Sequence, residues 1–204
     1  MTLRTLPRRG LLAAPALLLP LSAGAAPPGG YNWRILRDGR EIGTHRVTFG
    51  TSGALRHVDV AVDIVVRLAG FTVYRYTHQF WERWDGQRLV GLGSRSDRNG
   101  TVTQLVVRPE GDGLIAEGGA APVRLPRDAA PLSWWDPSTL SRPLFDAKTA
   151  APEARVVHES GTGLAGTWRQ PGPSSSEARY AADGTWLGYS TRGEDGSTVT
   201  YAAR

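Results

Sequence analysis

The chain has 204 residues, a formal charge of +5 and no cysteine, with Lys148 the only lysine among 24 basic residues. Without cysteine there is no disulfide framework and no lipidated N-terminal anchor, which excludes a lipoprotein. The arginines form no basic run or basic helix, which argues against a nucleic-acid surface.

In chain order, the first expected element is an export leader. Arg4, Arg8 and Arg9 precede a stretch from Leu11 to Leu21 that is apolar apart from two prolines, and Ala23-Gly24-Ala25 offers small residues for cleavage. Residues 1–25 are therefore read as a cleaved signal peptide, too short to span the roughly 30 Å of a bilayer core. Arg8-Arg9-Gly10-Leu11-Leu12 also resembles a twin-arginine signal with Leu11 in place of the usual aromatic, so Sec and Tat export both stay open. Losing Arg4, Arg8 and Arg9 lowers the formal charge from +5 to +2. No later segment is long and apolar enough for a membrane helix. Residues 26–204 read as one β-rich domain of a periplasmic or secreted bacterial protein.

Strands announce themselves by their period. Tight hairpins are signalled by six pairs: Asp38-Gly39, Asp85-Gly86, Asn99-Gly100, Asp112-Gly113, Asp183-Gly184 and Asp195-Gly196. From Ala54 to Leu68 the even positions are mostly apolar, including Val58, Val60, Val62, Ile64 and Val66, while the odd ones include His57, Asp59, Asp63 and Arg67. One face is expected to be buried and the other wet. Phe71 to Trp84 follows as its partner, with Tyr74, Tyr76, His78, Phe80, Glu82 and Trp84 on one face. Phe71, Val73 and Trp81 occupy the other, which implies cover on both faces or a phase slip near Gln79. Runs this long must twist strongly or bend at a bulge.

Shorter strands are expected over residues 31–37, 42–49, 87–96, 101–108 and 114–117, then 153–159, 163–170, 177–182, 185–192 and 197–203. Between Pro122 and Pro152 the pattern breaks. There Asp136 before Pro137 predicts a capped helix through Leu144, the one short helix of the 131–146 segment. Adjacent Trp134 and Trp135 cannot both point inward from one strand, so one is expected to lie under a helix or lid while the other lines an opening.

Chemical motifs are missing. There is no Gly-x-Ser-x-Gly elbow, His-Glu-x-x-His, P-loop, Gly-x-Gly-x-x-Gly or calcium loop. His45, His57, His78 and His158 are too far apart in sequence to form a local metal clip, so no metal, cofactor or catalytic residue is assigned. His57 beside Asp59 reads as a solvated pair. Tyr76 and His78, two apart on one face, are expected neighbours. Glu82 on an aromatic face needs an arginine, a hydroxyl or water, because an unpaired buried charge costs several kcal/mol.

The order Asp38-Gly39, Ile42-Gly43-Thr44-His45, Val73-Tyr74-x-Tyr76-x-His78, Glu82-x-Trp84-x-Gly86, Asn99-Gly100, Ser133-x-Trp135 and Asp195-Gly196-Ser197-x-Val199-x-Tyr201 resembles an uncharacterised bacterial family, domain of unknown function 6134. The family brings no established activity. At fold level the plan is also similar to the half-barrel of lipoprotein carriers such as LolA and LolB, although a LolB-like receptor would need the lipidated cysteine this chain lacks.

The expectation is an all-β protein with minor α content: a strongly curved antiparallel meander, or half-open barrel, whose concave side holds a lipid or other hydrophobic compound. Tyr74, Tyr76, His78, Glu82 and Trp135 are the residues expected to line it. Two alternatives are an envelope interaction or scaffold protein with an envelope protein partner, and a hydrolase of envelope material in which Glu82 meets a second carboxylate or histidine.

Overall fold

Side-chain alternation becomes strand structure along most of the chain. The computed structural model describes residues 29–204, so the expected leader, residues 1–25, lies outside the described residues. The first eight strands are β1 (Tyr31–Arg37), β2 (Arg40–Ser52), β3 (Leu55–Leu68), β4 (Phe71–Asp85), β5 (Arg88–Arg98), β6 (Thr101–Glu110), β7 (Gly113–Glu117) and β8 (Val123–Leu125). Short strands β9 (Ala130–Pro131) and β10 (Leu144–Phe145) pair with each other, in parallel. The last five are β11 (Val157–Ser160), β12 (Gly166–Gln170), β13 (Ser176–Tyr180), β14 (Trp186–Arg192) and β15 (Thr198–Ala203).

Thirteen strands make one curved antiparallel sheet, ordered β11-β12-β13-β14-β15-β1-β2-β3-β4-β5-β6-β7-β8 and not closed into a barrel. The chain starts in mid-sheet at β1 and meanders out to β8. It then crosses between the edges through residues 126–156 and meanders back from β11, until β15 pairs with β1 through Ile35 opposite Tyr201. Hairpin turns carry the conformations their residues favour: Asp38-Gly39 and Asn99-Gly100 both have positive φ at two successive positions, the signature of two-residue type I′ turns.

The long β3–β4 hairpin follows the expected alternation. Val58 and Val60 are buried opposite Glu82 and Phe80, while Asp59 and Arg83 are exposed. Ala61 pairs with Gln79 in unbroken register, so the expected slip near Gln79 is absent. Irregularities fall instead between Val66 and Arg67 and between Arg83 and Trp84. The apolar bulk on the second face has another origin. Trp81 lies across β5, where a Cβ on Gly93 would come within 2.5 Å of its Nε1.

The break between Pro122 and Pro152 differs from expectation in two ways. It contains β8, and its helix is a single 3-10 turn, Pro137–Thr139. Asp136 caps that turn, its Oδ1 accepting from the Ser138 backbone N–H at 3.0 Å and the Ser138 hydroxyl at 2.6 Å. Propagation to Leu144 fails because Pro143 biases Arg142 towards extended backbone, and Leu144–Phe145 then pair with β9. The crossing segment supplies Trp134, Trp135, Leu140 and Phe145 to the core, each contributing about 1.5–3 kcal/mol by burial. Among the described residues no helix is long and apolar enough to cross a membrane.

Candidate functional site

Two ends of the concave face differ in kind. One is closed around Glu82, which is 0% exposed. Its Oε2 accepts hydrogen bonds from the indole N–H of Trp84 at 2.7 Å and of Trp135 at 3.1 Å, and its Oε1 has no partner. Burial pushes the carboxyl up to about 7, against the opposing pull of the Trp84 and Trp135 donors, the nearby Ser133 hydroxyl and Arg56. The Arg56 guanidinium sits 4.6 Å from the centroid of the Trp135 ring and 3.4 Å from an Asp136 carboxylate oxygen. Glu82 therefore finds two indole donors in the interior, with Arg56 adding charge but no hydrogen bond.

Trp134 and Trp135 are both buried, so neither lines an opening. Trp134 takes φ +63, a left-handed backbone that turns successive side chains to different neighbours and costs roughly 1–2 kcal/mol. Trp134 packs on Tyr189 and Trp135 on Phe49 and Trp84. Tyr180 donates to the Trp134 carbonyl at 2.6 Å, tying the crossing segment to β13.

The other end is open and holds the remaining expected residues. Tyr74 and Tyr76 project from β4 into a pocket of about 580 Å³, shared with Ser96, Arg98, Thr101, Thr103, Lys148 and Thr149. Lys148 pairs with Asp146 at 2.7 Å. Although burial opposes ionisation of Asp146, the Lys148 ammonium and the backbone N–H groups of Lys148 and Thr149 hold its carboxyl below the usual range. Tyr76 titrates above its ordinary value because it is buried, with Asp146 and Tyr74 adding to the effect.

Behind Tyr76, at a ring separation of 6.2 Å, His78 is buried and its Nε2 lies 2.9 Å from the Ser94 hydroxyl. Burial, with help from Lys148, lowers His78 to about 4. His45 is lowered further, to about 3, by burial and by His78. Its Nδ1 is 3.2 Å from the Tyr201 hydroxyl, and its buried Nε2 has no partner. A His–Ser contact is the geometry of a base and a nucleophile, but an imidazole this weakly basic is mismatched to neutral-pH proton abstraction. The one histidine–carboxylate contact among the described residues is His57–Asp59 at 3.1 Å, an exposed pair on the outer face. No group of three or more His, Asp or Glu side chains among the described residues is placed to hold a metal.

Beside the polar pocket lies a largely apolar recess of about 380 Å³, lined by Ile42, Ile64, Val66 and Val199 together with the charged Arg37, Arg192, Glu194 and Asp195, with Tyr74 and Arg98 forming a wall common to both. The Arg98 guanidinium stands 5.6 Å from the centroid of the Tyr74 ring and pairs with Glu194 at 2.7 Å. Arg37 and Asp195 form a second ion pair at the rim. The structure thus groups Tyr74, Tyr76 and His78 at the open end and places Glu82 and Trp135 at the closed one. Sequence reasoning misses Arg98, Lys148, Val199 and Ile42. The one available signal is Lys148 itself, a lone lysine in a chain that otherwise uses arginine.

Fold and site together define an all-β protein built on one curved antiparallel sheet, whose concave side is partly filled by a crossing segment and open at one end. The chain belongs to the family described as a domain of unknown function, DUF6134, whose model matches residues 33–204. No functionally curated protein and no solved structure matches it, so the similarity to LolA-type carriers is not shown.

Proposed function

We propose that this is an exported, non-catalytic protein that binds an amphiphile at the open end of its concave face. One observation carries the reading: an apolar recess and a polar pocket meet at Tyr74 and Arg98. Each volume falls in the roughly 300–1,000 Å³ range of small-molecule sites. A hydrocarbon chain among Ile42, Ile64, Val66 and Val199 would leave its polar head beside Tyr76, Ser96 and Lys148. Those groups suit an anionic or hydroxylated head, since Lys148 offers an ammonium and Tyr76 keeps its hydroxyl proton. The leader-like first 25 residues and the missing lipidation cysteine favour a periplasmic or secreted form exported by Sec or Tat.

Purification from the native host under mild conditions, followed by mass spectrometry for co-purifying lipids and titration with a fluorescent fatty-acid analogue, tests the reading. Ile64→Glu, which places a charge in the recess, is expected to abolish analogue binding while circular dichroism stays that of a β-sheet. No co-purifying amphiphile and no analogue uptake by the wild type would overturn it.

A further inference from the structure

The β3–β4 hairpin reaches past both of its neighbours. β2 follows β3 only as far as the Gly43–Ile64 pair, and β5 follows β4 only as far as the Tyr76–Arg98 pair. Residues 65–74 therefore form a two-stranded projection that turns at Ala69-Gly70, rooted where the Arg75 backbone N–H donates to the Asn99 side chain and its carbonyl accepts from the Asn99 N–H. Its tip is apolar and bare: Leu68 is 69% exposed, Phe71 76% and Val73 54%. Val66, on the same projection, lines the recess and also the outer groove that Leu68 and Val73 line. Arg67 adjoins the tip and Arg75 stands at the root of the projection, opposite Val65, and neither pairs with a carboxylate among the described residues.

We propose that this projection docks the protein on an anionic lipid bilayer, inserting Leu68, Phe71 and Val73 at the headgroup boundary while Arg67 and Arg75 meet lipid phosphates. The identity of the surface follows from size and charge. Three side chains expose far less than the roughly 800 Å² per partner of a stable protein interface. A bilayer needs no shape complement, only a few apolar side chains beside cationic ones. Arg67, Leu68 and Val73 also line the adjoining outer groove, where Asp38, Glu41 and Asp63 are matched in number by Arg37, Arg40 and Arg67, so the groove turns no net negative charge towards the bilayer. The recess mouth would then face the lipid, giving an amphiphile a short path between bilayer and protein. Docking itself does not depend on the proposed amphiphile; only this path does.

The test is co-sedimentation of the mature protein with vesicles of phosphatidylglycerol and phosphatidylethanolamine in equal parts, compared with pure phosphatidylcholine. Binding to the anionic vesicles is expected, weakened by high salt. The paired substitution Leu68→Ser and Phe71→Ser is expected to weaken it at least about tenfold. Both side chains are exposed, so folding should survive, and uptake of the fluorescent fatty-acid analogue should be unchanged. Vesicle binding unaffected by the paired substitution, or absent in the wild type, would overturn the proposal. A wild-type dimer that the substitution dissociates would also overturn it, assigning the tip to a second copy. Vesicle binding without analogue uptake would remove the ligand reading and leave the docking surface standing.

Discussion

The indole N–H of Trp135 donates to the carboxylate of Glu82 at 3.1 Å across 53 residues of sequence, fastening the crossing segment to β4. Hydrogen bonds to charged groups contribute about 1.5–3 kcal/mol each. Trp135→Phe keeps an aromatic ring but removes the donor and some volume, so a loss of about 2–4 kcal/mol is expected at pH 8. Denaturant titrations should show a smaller loss at pH 5, where Glu82 is protonated. Equal losses at both pH values would mean that packing alone carries the effect.

Glu82 and the two buried histidines give stability opposite pH dependences. Because the folded-state value of Glu82 is raised from 4.5 to about 7, its contribution is fully present below 4.5 and is lost as pH rises through 7. His45 and His78 are lowered from 6.5 to about 3 and about 4, so their contribution is present above 6.5 and is lost as pH falls towards those values. Between pH 4.5 and 6.5 each histidine makes stability fall on acidification by about 1.4 kcal/mol per pH unit, and Glu82 opposes one of them. Glu82→Gln should therefore steepen the acid limb and gain about 2–3 kcal/mol over the wild type at pH 8. Wild-type and variant curves that run parallel would exclude a raised Glu82.

Ala69 holds φ +48 in the turn between β3 and β4, followed by Gly70 at φ +86. Left-handed backbone at a non-glycine residue costs roughly 1–2 kcal/mol, partly offset in glycine by the entropy of the unfolded chain. Ala69→Gly is expected to stabilise the protein by about 0.5–1 kcal/mol, seen as a melting temperature higher by a few degrees. A lower melting temperature would contradict the left-handed turn.

Gly93 leaves space that Trp81 fills, since a Cβ there would meet Nε1 at 2.5 Å and two ring carbons at 2.6 and 2.7 Å. Gly93→Ala should displace the indole and destabilise by about 1–3 kcal/mol. In a Trp81→Ala background the same change should be nearly neutral. A double-mutant cycle measures the difference, and additivity would show that the contact carries no strain.

The long hairpin was legible because alternation at Val58, Val60, Phe80 and Glu82 assigns each side chain to a face. What covers a face is not legible in the same way. Val60 and Val66 look alike in the pattern, yet Val60 is buried and Val66 lines the open recess. That difference is made by residues 126–156, whose route over the sheet no local period encodes. Tyr74, Tyr76 and His78 could be grouped from their spacing on one strand. Lys148 and Val199 join them only through the crossing segment and the β15–β1 pairing. Glu82 was visible as a charge in need of a partner, but its two donors differ completely in sequence distance: Trp84 is two residues away and Trp135 is 53.

The pairing of β1 with β15 also shapes how the molecule must assemble. Every other neighbour in each wing is joined by a short turn and can zip locally, whereas this seam brings together Trp33 and Ala203. Long-range closure of that kind is slow compared with hairpin formation. Refolding should therefore pass through a stage in which the two wings have formed while the inner rims of β1 and β15 still lack hydrogen-bond partners. At that stage dilution favours correct closure, and crowding favours pairing with strands of other molecules.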